Sequence, residues 1–196
     1  MQLTFTGIVG CRMCERKAIL AGLLLSMLVS PALVAHAQTL YNNGSDTGTY
    51  AWQINFGYSV TDSFVLNRPA QVDEIVLSIW DADDLNNPLS AGWEITTEPF
   101  GGRTVASGNS YLGLVQGCQP IQNQLCVWEM AIYVNANLPA GTYWLQVDNV
   151  QTRFGSDAFW GQSNGPSRAY LYSGDNSSTV AIRAIPSESF QVLGSE

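Results

Sequence analysis

Short β-prone runs, divided by turn-forming residues, are the feature that most constrains how this chain folds. Helical periodicity is hard to find after Pro31. Clusters such as Asn42-Asn43-Gly44 and Asn164-Gly165-Pro166 are strong turn formers. Short strands at this spacing predict an all-β fold, an antiparallel β-sandwich or a jelly roll. The predicted strands are Tyr50–Val60, Ser63–Leu66, Val72–Trp80, Trp93–Thr97, Thr104–Leu114, Val127–Val134, Thr142–Val147, Ala158–Gly161, Ala169–Tyr172, Val180–Ile185 and Ser189–Leu193.

Alternation within these runs predicts which face of each strand is buried. Ile75, Leu77 and Ile79 share one face of their strand, so we expect that face to pack in the core. The same rule makes Trp128 a core residue. Trp80 and Trp144 fall on the more polar faces, and we expect both side chains to be partly exposed.

The residues before position 38 have the layout of a secretory signal peptide. A basic patch precedes the apolar run Ala18–Val29, and Ala35-His36-Ala37 offers small residues to a signal peptidase. The apolar run is shorter than the roughly 20 residues of a membrane-spanning helix. We therefore expect residues 1–37 to be cleaved, and residues 38–196 to form one secreted or periplasmic domain. An uncleaved membrane anchor and translation from Met13 are the alternatives.

The charge of residues 38–196 restricts both partners and chemistry. Cleavage would leave fifteen carboxylates, five arginines and no lysine, and would remove His36, the one histidine of the chain. Such an acidic chain is a poor match for nucleic acid or an anionic membrane surface. Without histidine or lysine, we exclude a Ser-His-Asp triad, histidine-bound metals and a Schiff base.

Two sequence features suggest a disulfide and a metal site. Cys118 and Cys126 are the two cysteines that follow the signal peptide, and in an exported chain we expect them to be paired. Asp81, Asp83 and Asp84 lie in a loop after a predicted strand and offer oxygen ligands of the kind that calcium prefers. The alternative for this loop is a solvated acidic turn. Calcium is the one cofactor that the sequence suggests.

Aromatic side chains suggest a ligand-binding surface. Sugar rings present apolar C–H faces that stack on tryptophan and tyrosine, and exposed aromatic patches commonly mark binding sites. The alternative is that these rings fill the core. The candidate platform consists of Trp80, Trp144, Trp160 and Tyr133, with Tyr170 and Tyr172 beside them.

Two carboxylates suggest a catalytic alternative. Glu94 and Glu129 each follow a tryptophan on a predicted strand. Glycoside hydrolysis uses two such carboxylates, one of them in an apolar pocket that raises its pKa. Outward-facing acidic residues on half-exposed strands are the more ordinary interpretation.

Several short segments, in order along the chain, resemble an uncharacterised group of exported bacterial β-sandwich proteins, many of which carry a PEP-CTERM sorting tail. The resemblance implies export, a β-sandwich and a surface or matrix setting, and it assigns no catalytic residue. Residues up to Glu196 contain no such tail, so we expect a released protein. The segments that carry the resemblance are Leu40–Gly44, Ala51–Gly57, Val60–Phe64, Trp93–Thr97, Pro99–Gly102, Ala140–Leu145, Gly165–Ser167 and Pro186–Phe190.

These observations together predict a secreted, non-catalytic β-sandwich protein that binds an extracellular glycan or an envelope component. One alternative is a structural protein of the envelope or matrix with no small ligand. The other is a carboxylate-dependent glycoside hydrolase.

Overall fold

Two antiparallel β-sheets packed against each other make up the fold. The computed structural model describes residues 37–81, 86–121, 125–174 and 181–196, which all belong to one compact unit. Over these ranges the chain forms strands and no helix, so no helix there is long and apolar enough to cross a membrane. The predicted antiparallel β-sandwich is confirmed. The predicted signal peptide lies outside the described residues except for Ala37.

The described residues form thirteen strands, which range from 3 to 13 residues in length. Turns rich in glycine, asparagine and proline join them, as the sequence pattern indicates. The strands are β1 (Gln38–Asn42), β2 (Ala51–Gln53), β3 (Tyr58–Leu66), β4 (Ala70–Asp81), β5 (Pro88–Glu98), β6 (Gly101–Tyr111), β7 (Gly113–Pro120), β8 (Cys126–Leu138), β9 (Gly141–Thr152), β10 (Phe159–Gly161), β11 (Ala169–Ser173), β12 (Ala181–Ile185) and β13 (Phe190–Ser195).

The first sheet has seven strands arranged around β4. Strand β8 pairs with β4 along its whole length, and β7 pairs with the far side of β8. The other side of β4 pairs first with β13 and then with β10, which continue to β1 and β2 respectively. The second sheet has six strands in the order β12-β11-β3-β9-β5-β6.

The core lies between the two sheets and is built from alternate residues of each strand. Ile75, Leu77 and Ile79 are buried on one face of β4, and Trp128 is buried on β8, as the alternation predicts. Phe64 and Leu145 contribute from the second sheet. Burial of each such aliphatic side chain stabilises the fold by about 1.5–3 kcal/mol.

The strand boundaries differ from the sequence prediction where a tight turn interrupts a run that was predicted to be a single strand. The predicted strand Tyr50–Val60 is interrupted at Phe56 and Gly57, which both have positive φ angles of 53° and 89°. The amide of Tyr58 donates to the carbonyl of Asn55 at 3.1 Å and closes this turn. Because both central residues have positive φ, the turn is of type I′, and it carries the chain from one sheet to the other.

The disulfide prediction is confirmed. Cys118 on β7 and Cys126 on β8 are bonded, with their Cα atoms 5.0 Å apart. The bond closes the loop between two adjacent antiparallel strands, so it fixes an edge of the first sheet.

Candidate functional site

The tryptophans of the candidate platform are buried, so the expectation that Trp80 and Trp144 are partly exposed is wrong. Trp160 is 0% exposed, Trp144 is 4% exposed and Trp80 is 7% exposed, whereas Tyr133 is 61% exposed. Trp144 belongs to the second sheet and the other three residues belong to the first. The four side chains therefore do not form one surface.

Neighbouring groups explain why these rings are covered. The indole N–H of Trp80 donates to Asp46, in the loop before β2. Trp160 donates to the carbonyl of Ser189 at 2.9 Å. Trp144 does lie on the outer face of its sheet, but Tyr170 packs on it with ring centroids 5.6 Å apart, and Arg168 lies over the ring.

The acidic loop is only partly within the described residues. Asp81 is buried, and its Oδ1 accepts hydrogen bonds from Asn86 Nδ2 at 2.8 Å and from the Ser156 hydroxyl. This carboxylate therefore links the end of β4 to Asn86 and to the segment before β10. Asp83 and Asp84 lie outside the described residues. No group of three or more histidine, cysteine or acidic side chains in the described part of the chain is arranged to hold a metal ion.

The two candidate catalytic carboxylates lie on opposite sides of the sandwich, so their pairing in one active site is wrong. Glu94 alternates with the core residues Trp93 and Ile95, which places it on the outer face of the second sheet. Glu129 alternates with Trp128 and Met130 and lies on the outer face of the first sheet. Packed sheets are about 10 Å apart, so outward side chains cannot approach the 5–9.5 Å that glycoside hydrolysis needs.

The outer face of the second sheet collects aromatic and polar side chains. The core-facing residues of these strands are apolar, and the residues between them point outward because side chains alternate along a strand. Cross-strand pairing aligns Tyr172 with Ser59, and Gln146 with Glu94. The outward residues on the central strands are Tyr170 and Tyr172 on β11, Ser59, Thr61 and Ser63 on β3, Trp144, Gln146 and Asp148 on β9, and Glu94 and Thr96 on β5.

The turn between β5 and β6 makes part of this face concave. Phe100 in that turn has a φ of 51°, an uncommon conformation for a residue with a side chain. Its ring packs against Tyr172, with centroids 5.7 Å apart. The turn and the sheet enclose an open groove of about 310 Å³, hereafter the sheet-face groove. It is lined by Ser59, Glu94, Thr96, Phe100, Gly101, Gly102, Thr104, Gln146 and Tyr172.

Hydrogen bonds fix the polar side chains of the sheet-face groove. The Thr104 hydroxyl donates to one carboxylate oxygen of Glu94. Gln146 Nε2 donates to Asp148 Oδ2 at 3.1 Å, and Asn149 Nδ2 donates to Asp148 Oδ1 at 3.0 Å. The groove thus combines two aromatic rings, one carboxylate and several hydrogen-bonding groups, the composition typical of small-ligand sites.

A second group of functional interest is buried between the sheets and contains the carboxylates of Asp62 and Glu188. Both residues are 0% exposed. Asp62 accepts hydrogen bonds from the amide of Glu188 at 2.7 Å, the amide of Ser63 at 2.6 Å and Asn43 Nδ2 at 3.1 Å. Neither carboxylate oxygen of Glu188 has a hydrogen-bond partner among the described residues.

Burial sets the protonation of these two carboxylates. Desolvation raises the pKa of Asp62 from 3.8 to about 6, although its hydrogen bonds act in the opposite direction. Desolvation also raises the pKa of Glu188 well above its usual value, and the negative charges of Asp62 and Asp46 raise it further. A carboxyl group without donors or a cation in an apolar interior is stable only when it is protonated. Burial at this position therefore favours the protonated form of the Glu188 carboxyl group.

Several of these residues were not among the sequence predictions. Asp62 lies between Val60 and Phe64 on the inward face of β3, so alternation alone could have placed it in the core. Glu188 lies outside the strands, at an isolated bridge to Gln162, and no periodicity reveals its burial. Phe100 meets Tyr172 through the order of the strands, which local sequence does not encode.

Comparisons with known proteins add no identification. No model of a known protein family matches the chain. No curated protein matches it either.

Proposed function

We propose that this protein binds glycans in the sheet-face groove. The observation that carries the proposal is the pair formed by Phe100 and Tyr172 beside the polar side chains of Glu94 and Gln146. Aromatic rings stack on the apolar C–H faces of sugars, and carboxylate and amide groups bond the hydroxyls around them. The groove volume falls at the lower end of the range of about 300–1,000 Å³ for ligand sites, which suits one or two sugar units.

The sequence-based expectation of export fits this proposal. A protein with a signal peptide over residues 1–37 would meet polysaccharides outside the cytoplasm. The resemblance to exported bacterial β-sandwich proteins leads to the same setting. Glycan binding in the extracellular space or periplasm is thus the function that we propose, and no catalytic step is part of it.

Removal of the Tyr172 ring tests this function. We expect Tyr172→Ala to weaken binding of a glycan selected on an array by at least about tenfold, because a buried aromatic contact is worth more than about 1.4 kcal/mol. Tyr172→Phe keeps the ring and should retain most of the affinity. Isothermal titration calorimetry measures both effects.

Tyr133→Ala is the matched control, because Tyr133 is an exposed tyrosine on the first sheet, away from the groove. This variant should bind the glycan as the unsubstituted protein does. Wild-type affinity in Tyr172→Ala, or an array on which the folded protein binds no glycan, would overturn the proposal.

A further inference from the structure

We propose that the sheet-face groove selects glycans that carry a free amine, and that Glu94 is the residue that makes this selection. The inference rests on the glycan-binding function proposed above and adds the chemical class of the ligand. It follows from the charges on the outer face of the second sheet and from the partners of the Glu94 carboxylate.

Glu94 is half-buried at the groove, and the described residues donate a hydrogen bond to only one of its two carboxylate oxygens. One oxygen accepts a hydrogen bond from the Thr104 hydroxyl. The other oxygen has no hydrogen-bond partner among the described residues, and no arginine lines the groove. The one ion pair found in the described part of the chain joins Arg68 and Glu196 elsewhere. Among the residues that the structure describes, Glu94 is therefore a negative charge without a positive partner.

Of the other charged residues on or near this face, none lines the sheet-face groove. Asp148 lies on the same face, and its hydrogen-bond donors are the neutral amides of Gln146 and Asn149. Arg103 is on the strand that carries Thr104 but forms no ion pair with Glu94. Arg168 lies over the Trp144 ring, and Arg183 lies over the Trp52 ring. Glu94 is thus the charged residue among those that line the groove.

This charge distribution discriminates between classes of sugar. A protonated amine on a sugar stacked against Tyr172 would form a charge-assisted hydrogen bond to Glu94, which is stronger than a bond between neutral groups. An acetylated amine carries no charge, so its N–H forms a weaker interaction with the carboxylate than an ammonium group does. Uronic acids and sulfated sugars would meet repulsion from Glu94 and Asp148.

The test compares two oligosaccharides that differ only in the amine. The probes are a glucosamine hexamer and the fully acetylated hexamer, titrated into the full chain at a slightly acidic pH at which the free amine is protonated. We expect the glucosamine hexamer to bind about three- to tenfold more tightly. Glu94→Gln should reduce the ratio of the two affinities to about one, whatever its effect on the affinity for the acetylated hexamer.

Glu129→Gln controls for general attraction between a cationic oligosaccharide and an acidic protein. Glu129 is a half-buried glutamate on the outer face of the first sheet, so its substitution removes the same charge far from the groove. We expect Glu129→Gln to retain the preference for the free amine. An equal loss of preference in both variants would overturn the role of Glu94.

The outcomes separate this inference from the function on which it rests. If both hexamers bind equally well and Tyr172→Ala abolishes binding of both, the glycan site stands and amine selection is overturned. If Glu94→Gln keeps the preference, the selection by Glu94 is overturned. If neither hexamer nor any arrayed glycan binds, the proposed function itself is overturned.

Discussion

At the scale of single residues, Glu188 is the least ordinary group in the molecule. It is a carboxyl group in the interior, next to Asp62 and without a donor or cation on either oxygen among the described residues. Because its pKa is raised in the folded state, the folded protein keeps a proton that the unfolded chain releases. The stability that this proton supports is complete below the usual pKa of about 4.5 and is lost as the pH rises toward the folded-state value.

Glu188→Gln should therefore stabilise the protein at neutral pH. Each pH unit over which only the unfolded chain is ionised costs about 1.4 kcal/mol, and the amide removes this cost. We expect the melting temperature at pH 7 to rise, by about 2–4 °C for each kcal/mol of this cost at this chain length. The unsubstituted protein should be more stable near pH 4 than near pH 7, and Glu188→Gln should reduce this difference.

Asp62 contributes a second pH-dependent loss of stability between pH 3.8 and about 6, so the variant should retain some pH dependence in that window. Thermal denaturation as a function of pH measures both effects, with Glu129→Gln as the control on the surface. A lower melting temperature of Glu188→Gln at pH 7, with the pH dependence unchanged, would show that Glu188 is ionised and satisfied in the fold.

At the scale of elements, the edge of the first sheet depends on the disulfide between β7 and β8. The ladder between these strands is irregular, with shifts in register after Leu114 and after Gln116. The bond between Cys118 and Cys126 therefore fixes a pairing that the backbone hydrogen bonds define less well.

Replacement of both cysteines by serine should destabilise the protein by about 2.5 kcal/mol, the loop-closure value for so short a loop. The melting temperature should fall by about 5–10 °C at this chain length. Reduction should lower the melting temperature of the unsubstituted protein to that of the variant and leave the variant unchanged. Equal melting temperatures for the two oxidised proteins would contradict this account.

At the scale of the whole molecule, the local sequence pattern predicted which side chains face the core. It did not predict which side chains from other strands pack together. Alternation placed Leu77 and Trp128 in the core because a strand exposes its two faces with a period of two. The same rule misjudged Trp144, because its burial comes from Tyr170 and Arg168 on a neighbouring part of the sheet. The residues of the sheet-face groove come from five strands and a turn, so their proximity depends on strand order.

Only part of the candidate site could be predicted from the sequence. Tyr172 and Glu94 were both singled out, but for different roles, one in an aromatic platform and one in a catalytic pair. Strand order brings them to one groove, and it separates Glu94 from Glu129. Neither result follows from composition or periodicity.

Mapping the binding surface by NMR tests the central claim most directly. Labelled protein would be titrated with the arrayed glycan that binds best, and the amide shifts followed residue by residue. We expect the largest changes at Phe100, Gly101 and Gly102, and along β11 and β9 at Tyr172 and Gln146. Changes confined to the first sheet, or no changes at a saturating concentration of glycan, would contradict the assignment of the sheet-face groove as the binding site.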